Sequence, residues 1–157
     1  MNQTDSQLSK ALATLAADLG AAGRFGPVTL GDSRLECAAL GASSPASYRV
    51  ELDQGRVFVS LVTPDRWLSQ SIEQDLMNTG DRIEELLDEE LAELDHVGQP
   101  PVVEHFRSDD KLYTFRSPLT LSPQSLGDPG ALAIVRRYLL AYEACFRVLG
   151  DMEGDDQ

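Results

Sequence analysis

A chain of 157 residues has the length of a single domain, and folding at that size takes ~70% of the unfolded chain's surface out of water. Hydrophobic residues make up 42% and charged residues 25%, an ordinary globular mixture, so disorder is excluded as the organising state. The 13 Lys and Arg against 26 Asp and Glu leave a formal charge of −13, which repels phosphate backbones and anionic lipid and argues against nucleic acid or membrane as a partner.

The N-terminal run MNQTDSQLSK carries acid and amide where a secretory signal carries basic charge and an apolar core. Nothing in the chain approaches the ~18 apolar residues of a spanning helix. Cys37 and Cys145 stand apart, with no CxxC pair, which fits a reducing compartment and leaves a disulfide between them open. The expectation is a cytoplasmic protein with one domain over residues 1–150 and a disordered acidic tail over 151–157.

Leu8, Leu12, Leu15 and Leu19 form one helical stripe, with Thr4 and Gln7 spaced as a capping box and Gly20 placed as a stop. Weak extended runs follow at Val28–Leu30 and Arg34–Ala39, divided by Gly31-Asp32, and read as one strand or two. The segment YRVELDQGRVFVSLV alternates apolar and polar residues around Asp53-Gln54-Gly55, which predicts a β-hairpin. A second hairpin is predicted at VVEHFRSDDKLYTFR, around Ser108-Asp109-Asp110.

Between the hairpins, Leu68, Ile72, Leu76, Leu86, Leu87, Leu91 and Leu94 share one helical face. An unbroken helix from Asp65 to Leu94 would be ~45 Å long, too long for a domain with a radius of gyration of ~15 Å. Either it projects, or it breaks at Asn78-Thr79-Gly80-Asp81, with Gly80 as the cap and Asp81 plus Glu84 as the new start. The last helix follows Gly127-Asp128-Pro129-Gly130 and carries two apolar rows: Leu132, Val135, Leu139, Tyr142, Phe146 and Leu149, then Ile134, Tyr138 and Val148. Two apolar rows predict packing on two sides. The predicted fold class is α+β, an antiparallel sheet of about five strands in the order α-β-β-β-α-β-β-α.

That order, carried by LSKALATLAADLG, YRVELDQGRVFVSLV, KLYTFRSPLTLSP and ALAIVRRYLLAYEACFRVLG, resembles the class I type III secretion chaperone fold shared by the YbjN-like proteins. The resemblance implies an antiparallel sheet covered by helices, a homodimer, and protein binding in place of chemistry. Secretion chaperones bind an extended effector segment along the first helix and the strands, whereas the YbjN-like branch is regarded as sensory, regulatory or chaperone-like. The GASSPAS insertion at 41–47 and the long acidic helical region depart from the effector-chaperone pattern.

Several constellations invite a chemical reading. Gly31-Asp32-Ser33 looks like the nucleophile block of Gly-Asp-Ser-Leu hydrolases, but neither His96 nor His105 has an aspartate three residues before it, so a turn is the better reading. His96 and His105 with Glu93, Asp95 or Glu104 lack diagnostic metal spacing, and Glu104-His105 reads as the two faces of an edge strand. Cys145 falls in an apolar row. There is no phosphate loop, no dinucleotide fingerprint and no basic, aromatic-lined patch. The expectation is no enzyme, no cofactor and no metal.

Residues for contact with a protein or peptide partner are easier to nominate. Leu12 and Val59 stand for the first-helix and strand surface of the chaperone reading. Trp67 lies opposite the apolar stripe, as an interface anchor or folded onto the sheet from the helix start, and Met77 is also off the stripe. The acidic run GDRIEELLDEELAELD contributes Glu84 and Asp88 to a solvated face. Glu90 falls inside the apolar stripe, where an ionised carboxylate costs several kcal/mol unless paired: either the helix end is rotated toward water there, or a dimer or partner seam brings Arg136, Arg137 or Arg147 to it. An alternative function, assembly of a regulatory or structural complex through this acidic helix, rests on those residues.

Overall fold

The computed structural model describes residues 3–23, 25–31, 34–39, 45–53, 55–94, 101–109, 111–119, 121, 128–147 and 149. The leucine stripe forms α1 (Gln3–Ala22), with Leu12, Leu15 and Leu19 buried. The helix starts ahead of Thr4 and passes through Gly20 to Gly23, whose φ is 71°. Both expected boundaries are therefore displaced. An interior glycine costs a helix only ~1 kcal/mol, less than burial of Leu19 contributes, and Gly23 supplies the left-handed residue at the exit.

Four strands come next: β1 (Phe25–Leu30), β2 (Arg34–Ala39), β3 (Ser47–Asp53) and β4 (Arg56–Thr63). After two helices, β5 (Glu104–Arg107) and β6 (Tyr113–Pro118) complete one antiparallel sheet of six strands in the order β1-β2-β3-β4-β6-β5. The α+β class holds, with one strand more than expected and the element order α-β-β-β-β-α-α-β-β-α. The extra strand is β1, which pairs with β2 through Val28↔Cys37, Thr29↔Glu36 and Leu30↔Leu35. Gly26 and Pro27 hide it in the sequence, and both are tolerated because β1 is an edge strand with a register shift between Phe25 and Val28. The two predicted hairpins are β3–β4 and β5–β6.

The long helical region does break. Thr63, fully buried, accepts the Asp65 N–H at 3.0 Å and donates to the Pro45 carbonyl, and the Asp65 carboxylate caps α2 (Arg66–Thr79) by accepting from the N–H groups of Trp67 and Leu68. Gly80 ends α2 at φ 76°, its N–H bonded to the Leu76 carbonyl. The second helix, α3 (Ile83–Glu93), has Arg82 at its cap position with no side-chain cap, one residue after the expected Asp81. Glu84 does not reach back as a capping box requires; its carboxylate accepts the Val103 N–H at 3.4 Å. Glu84 and Glu85 still place negative charge on the positive end of the helix.

The last helix, α4 (Pro129–Arg147), buries Val135, Leu139, Tyr142 and Phe146 completely. It packs on β3 and β4, with α1 over β1 and β2, α2 against β4 and α3 on α4. All four helices thus cover the face of the sheet that carries Leu35, Tyr48, Val50, Leu61 and Phe115. On that face the Tyr142 hydroxyl and Ser117 Oγ lie 2.6 Å apart, tying α4 to β6. No helix among the described residues packs on the opposite face, and none is long and apolar enough to cross a membrane. The tail at 151–157 lies outside the described residues.

Candidate functional site

The period of two in each strand sends every second side chain to the face away from the described helices. Antiparallel register then aligns those side chains across strands. Glu36 opposes Arg49, Arg49 opposes Ser60, Ser60 opposes Arg116 and Arg116 opposes Glu104, a single row running from β2 through β3, β4 and β6 to β5. The two arginines flank the serine, and each is held from outside by a carboxylate: Arg49 Nε lies 3.3 Å from Glu36 Oε1, and Arg116 Nε donates to Glu104 Oε1 at 2.8 Å.

Arg116 is further fixed by aromatic rings, its guanidinium carbon 4.0 Å from the Phe58 centroid and 4.9 Å from that of Phe106. Attraction between a guanidinium and a ring face contributes roughly 0.5–2 kcal/mol. Beside the row lies an open groove of about 470 Å³ whose walls include Arg34, Arg49, Arg107 and Arg116. Among the described lining residues Glu51 and Asp109 are the acids, and Glu36 and Glu104 pair two of the four arginines. The arginines are gathered from separate strands, so no contiguous stretch of sequence displays them together. Their interleaved carboxylates set the groove apart from a nucleic-acid surface.

Ser60 itself is fully buried, and its Oγ has no hydrogen-bond partner among the described residues. Arg49 Nε, although ion-paired, also lacks a hydrogen bond. The Ser60 hydroxyl is the costlier of the two, because an unsatisfied buried polar group costs about 1–3 kcal/mol, whereas Arg49 Nε keeps the Glu36 carboxylate beside it.

A second polar cluster joins α2 to β5. His105 Nε2 lies 3.3 Å from Ser69 Oγ and its Nδ1 lies 2.9 Å from Glu73 Oε1, with the ring stacked on Phe115 at 3.8 Å. This is the connectivity of a Ser-His-acid triad. Ser69, however, is only 3% exposed, its hydroxyl enclosed between helix and edge strand. The cluster acts as a clamp between helix and edge strand. Burial lowers the His105 pKa below its ordinary value, opposed by the Glu73 carboxylate.

Ser33, Asp95 and His96 lie outside the described residues. Glu104 and His105 do occupy opposite faces of β5, the former on Arg116 and the latter on Phe115. Among the described residues no three His, Cys, Asp or Glu side chains converge as metal ligands. Cys37 and Cys145 are buried free thiols, each pushed up to about 12, Cys37 by burial and then Glu36, Cys145 by burial and then Glu90 and Glu89.

The nominated contact residues divide by burial. Leu12 and Val59 are at most 2% exposed and belong to the core, because both project toward the helix–sheet interface; their place is inside the fold, under any contact surface. Trp67 and Met77 are 77% and 75% exposed. Asp88 is exposed, Glu84 half-buried against Val103, and Glu90 half-buried on the side of α3 near Cys145. Two of the arginines expected near Glu90 are engaged elsewhere, Arg136 with Asp18 at 2.6 Å and Arg147 with Glu143 at 3.1 Å.

Fold and surface together define a class, an α+β protein with a single antiparallel sheet, helices on one face and an arginine-lined groove on the other. No protein-family model, no curated protein and no solved structure matches this chain.

Proposed function

We propose that the chain is a non-catalytic, cytoplasmic protein-binding module of the type III secretion chaperone-like or YbjN-like kind, and that it docks a partner segment on the sheet face away from its helices. The observation carrying this reading is the groove on that face: an arginine-lined surface with Phe106 in its wall and no helix over it among the described residues. On the side of the sheet where none of the described helices packs, the row of charged side chains and the exposed Phe106 are available to a partner.

The homodimer belongs to the same proposal and has its own candidate surface. Trp67, Gln70, Gln74 and Met77 are exposed at helical spacing along α2, an uncharged stripe in a strongly acidic chain. Aromatic residues and methionine are enriched where proteins meet. A strictly monomeric species in sedimentation at micromolar concentration rejects the dimer.

The alternative, assembly through the acidic helix, is favoured by the exposed acids Glu85, Asp88, Glu89 and Glu93 of α3. One experiment separates the two. A photo-crosslinking residue at Phe106 is expected to capture a partner segment from cell extract while the same residue at Asp88 captures none; capture at Asp88 alone overturns the sheet-face reading.

A further inference from the structure

Resting on the homodimer in that reading, we propose that two copies of the chain join edge to edge through β5, in the one antiparallel register that sets His105 of each against Arg107 of the other. β5 is an outermost strand, and all four of its residues are exposed. His105 is exposed although its side chain is only 28% exposed, so much of that exposure lies in its backbone.

The hairpin fixes which backbone groups are open. Ser108 donates its N–H to the Leu112 carbonyl, and the pairing continues in step through Phe106↔Thr114 and Glu104↔Arg116. Hydrogen-bonded and open positions alternate along an antiparallel strand, so the N–H groups of His105 and Arg107, and of Val103 before them, point away from β6. The Val103 N–H is taken by the Glu84 carboxylate at 3.4 Å. Those of His105 and Arg107 have no such partner among the described residues, and an open edge of this kind is a template for another strand.

A second β5 fits this edge in one way. Setting His105 against its own copy puts Arg107 opposite Val103, whose N–H is already occupied, and setting Arg107 against its own copy leaves His105 opposite Asp109, past the strand end. Setting His105 against Arg107 pairs all the open groups reciprocally, as a two-fold interface requires. That register also brings Phe106, 37% exposed, against Phe106 of the copy. On the helical side it places Arg107, whose guanidinium has only the Tyr113 ring at 5.7 Å among the described residues, beside Glu73 of the copy, the carboxylate 2.9 Å from His105 Nδ1. Charge is thus complementary at a point where two chains of −13 meet.

The two six-stranded sheets become one, with the helices of both copies on the same side. Four residues a side are far fewer than the ~20 of a standard interface. The dimer is therefore reversible, and its population follows concentration.

Sedimentation equilibrium of the full chain across the micromolar range is expected to show monomer and dimer in exchange. Arg107→Pro removes an outward N–H and leaves the ladder to β6 whole, a position where an edge strand tolerates proline. It is expected to weaken dimerisation by about tenfold or more, because two backbone hydrogen bonds are lost across the two-fold; Arg107→Ala, which keeps the N–H, costs less. Disulfide trapping reads the register. Phe106 Cα lies ~4.5 Å from its copy in the proposed pairing, within disulfide range, so Phe106→Cys is expected to oxidise to a covalent dimer roughly tenfold faster than Glu104→Cys.

A chain that stays monomeric throughout rejects the seam and the homodimer together. A dimer that Arg107→Pro leaves intact overturns the seam, and its loss on Trp67→Asp then places the homodimer on α2. Trapping at position 104 as fast as at 106 overturns the register. A monomer that binds a fluorescein-labelled peptide of alternating Thr and Val, with binding lost in Arg107→Pro, assigns the edge to a partner's strand and overturns the second copy.

Discussion

The contact between Ser117 and Tyr142 sets the position of the arginine row from the far side of the sheet. Ser117 follows Arg116 on β6, so its hydroxyl faces α4 while the arginine faces the groove. Both residues of the pair are completely buried, and burial raises the Tyr142 pKa, so the phenol is neutral throughout the physiological range. Tyr142→Phe leaves the Ser117 hydroxyl without its 2.6 Å partner, and Ser117→Ala strands the Tyr142 hydroxyl in the same way. Each single change is expected to cost about 1–3 kcal/mol. For a chain of 157 residues that lowers the thermal midpoint by roughly 2–4 °C per kcal/mol. The double variant removes donor and acceptor together, so its loss is expected to fall below the sum of the two single losses by about 1 kcal/mol or more. Urea unfolding of the four proteins, read by far-ultraviolet circular dichroism, measures the cycle. Additive losses, or single losses under about 0.5 kcal/mol, refute the claim that this hydrogen bond anchors β6.

Three other outcomes are expected. His105 prefers its neutral form in the folded state, so its contribution to stability is complete above its ordinary pKa of 6.5 and is lost as pH falls from there through the lowered folded value; His105→Gln flattens that part of the stability profile, and an unchanged profile rejects the assignment. Gly80→Ala meets no neighbour within 4 Å but forces a side chain onto φ 76°, so denaturant midpoints are expected to show a loss of about 1 kcal/mol, with Gly80→Asn costing less. Trp67 is the only tryptophan and is 77% exposed, so the folded monomer emits as solvated indole, and a blue shift with rising concentration marks α2 as the dimer surface; a concentration-independent blue emission contradicts its exposure.

Local patterning was enough to place most elements. The leucine stripe of α1, the hairpin β3–β4, the start of α2 at the Asp65 cap and the apolar rows of α4 all follow from residue spacing and short-range hydrogen bonding, which act within a few positions of the chain. The same reasoning offered two outcomes for the residues after Asp65, and packing chose between them: Leu68, Ile72, Leu87 and Leu91 enter one core only if the chain turns at Gly80. β1 escaped clear recognition because an edge strand tolerates the Gly and Pro that weaken its pattern.

The row of polar side chains across the sheet is a different kind of object. Arg49, Ser60 and Arg116 are separated along the chain by other strands, helices and turns, and each by itself is an ordinary polar residue on the outer side of a strand. Alternation already placed each on the polar side of its strand; register alone made them neighbours, since a slip of one residue in either pairing sends a whole strand's side chains to the opposite face. Net charge pointed away from any basic surface because it sums over the chain, whereas a partner meets one face. The sequence by itself thus determined which residues would be helical, extended and buried, through interactions local to each segment, and only the tertiary structure decided which polar residues would stand together.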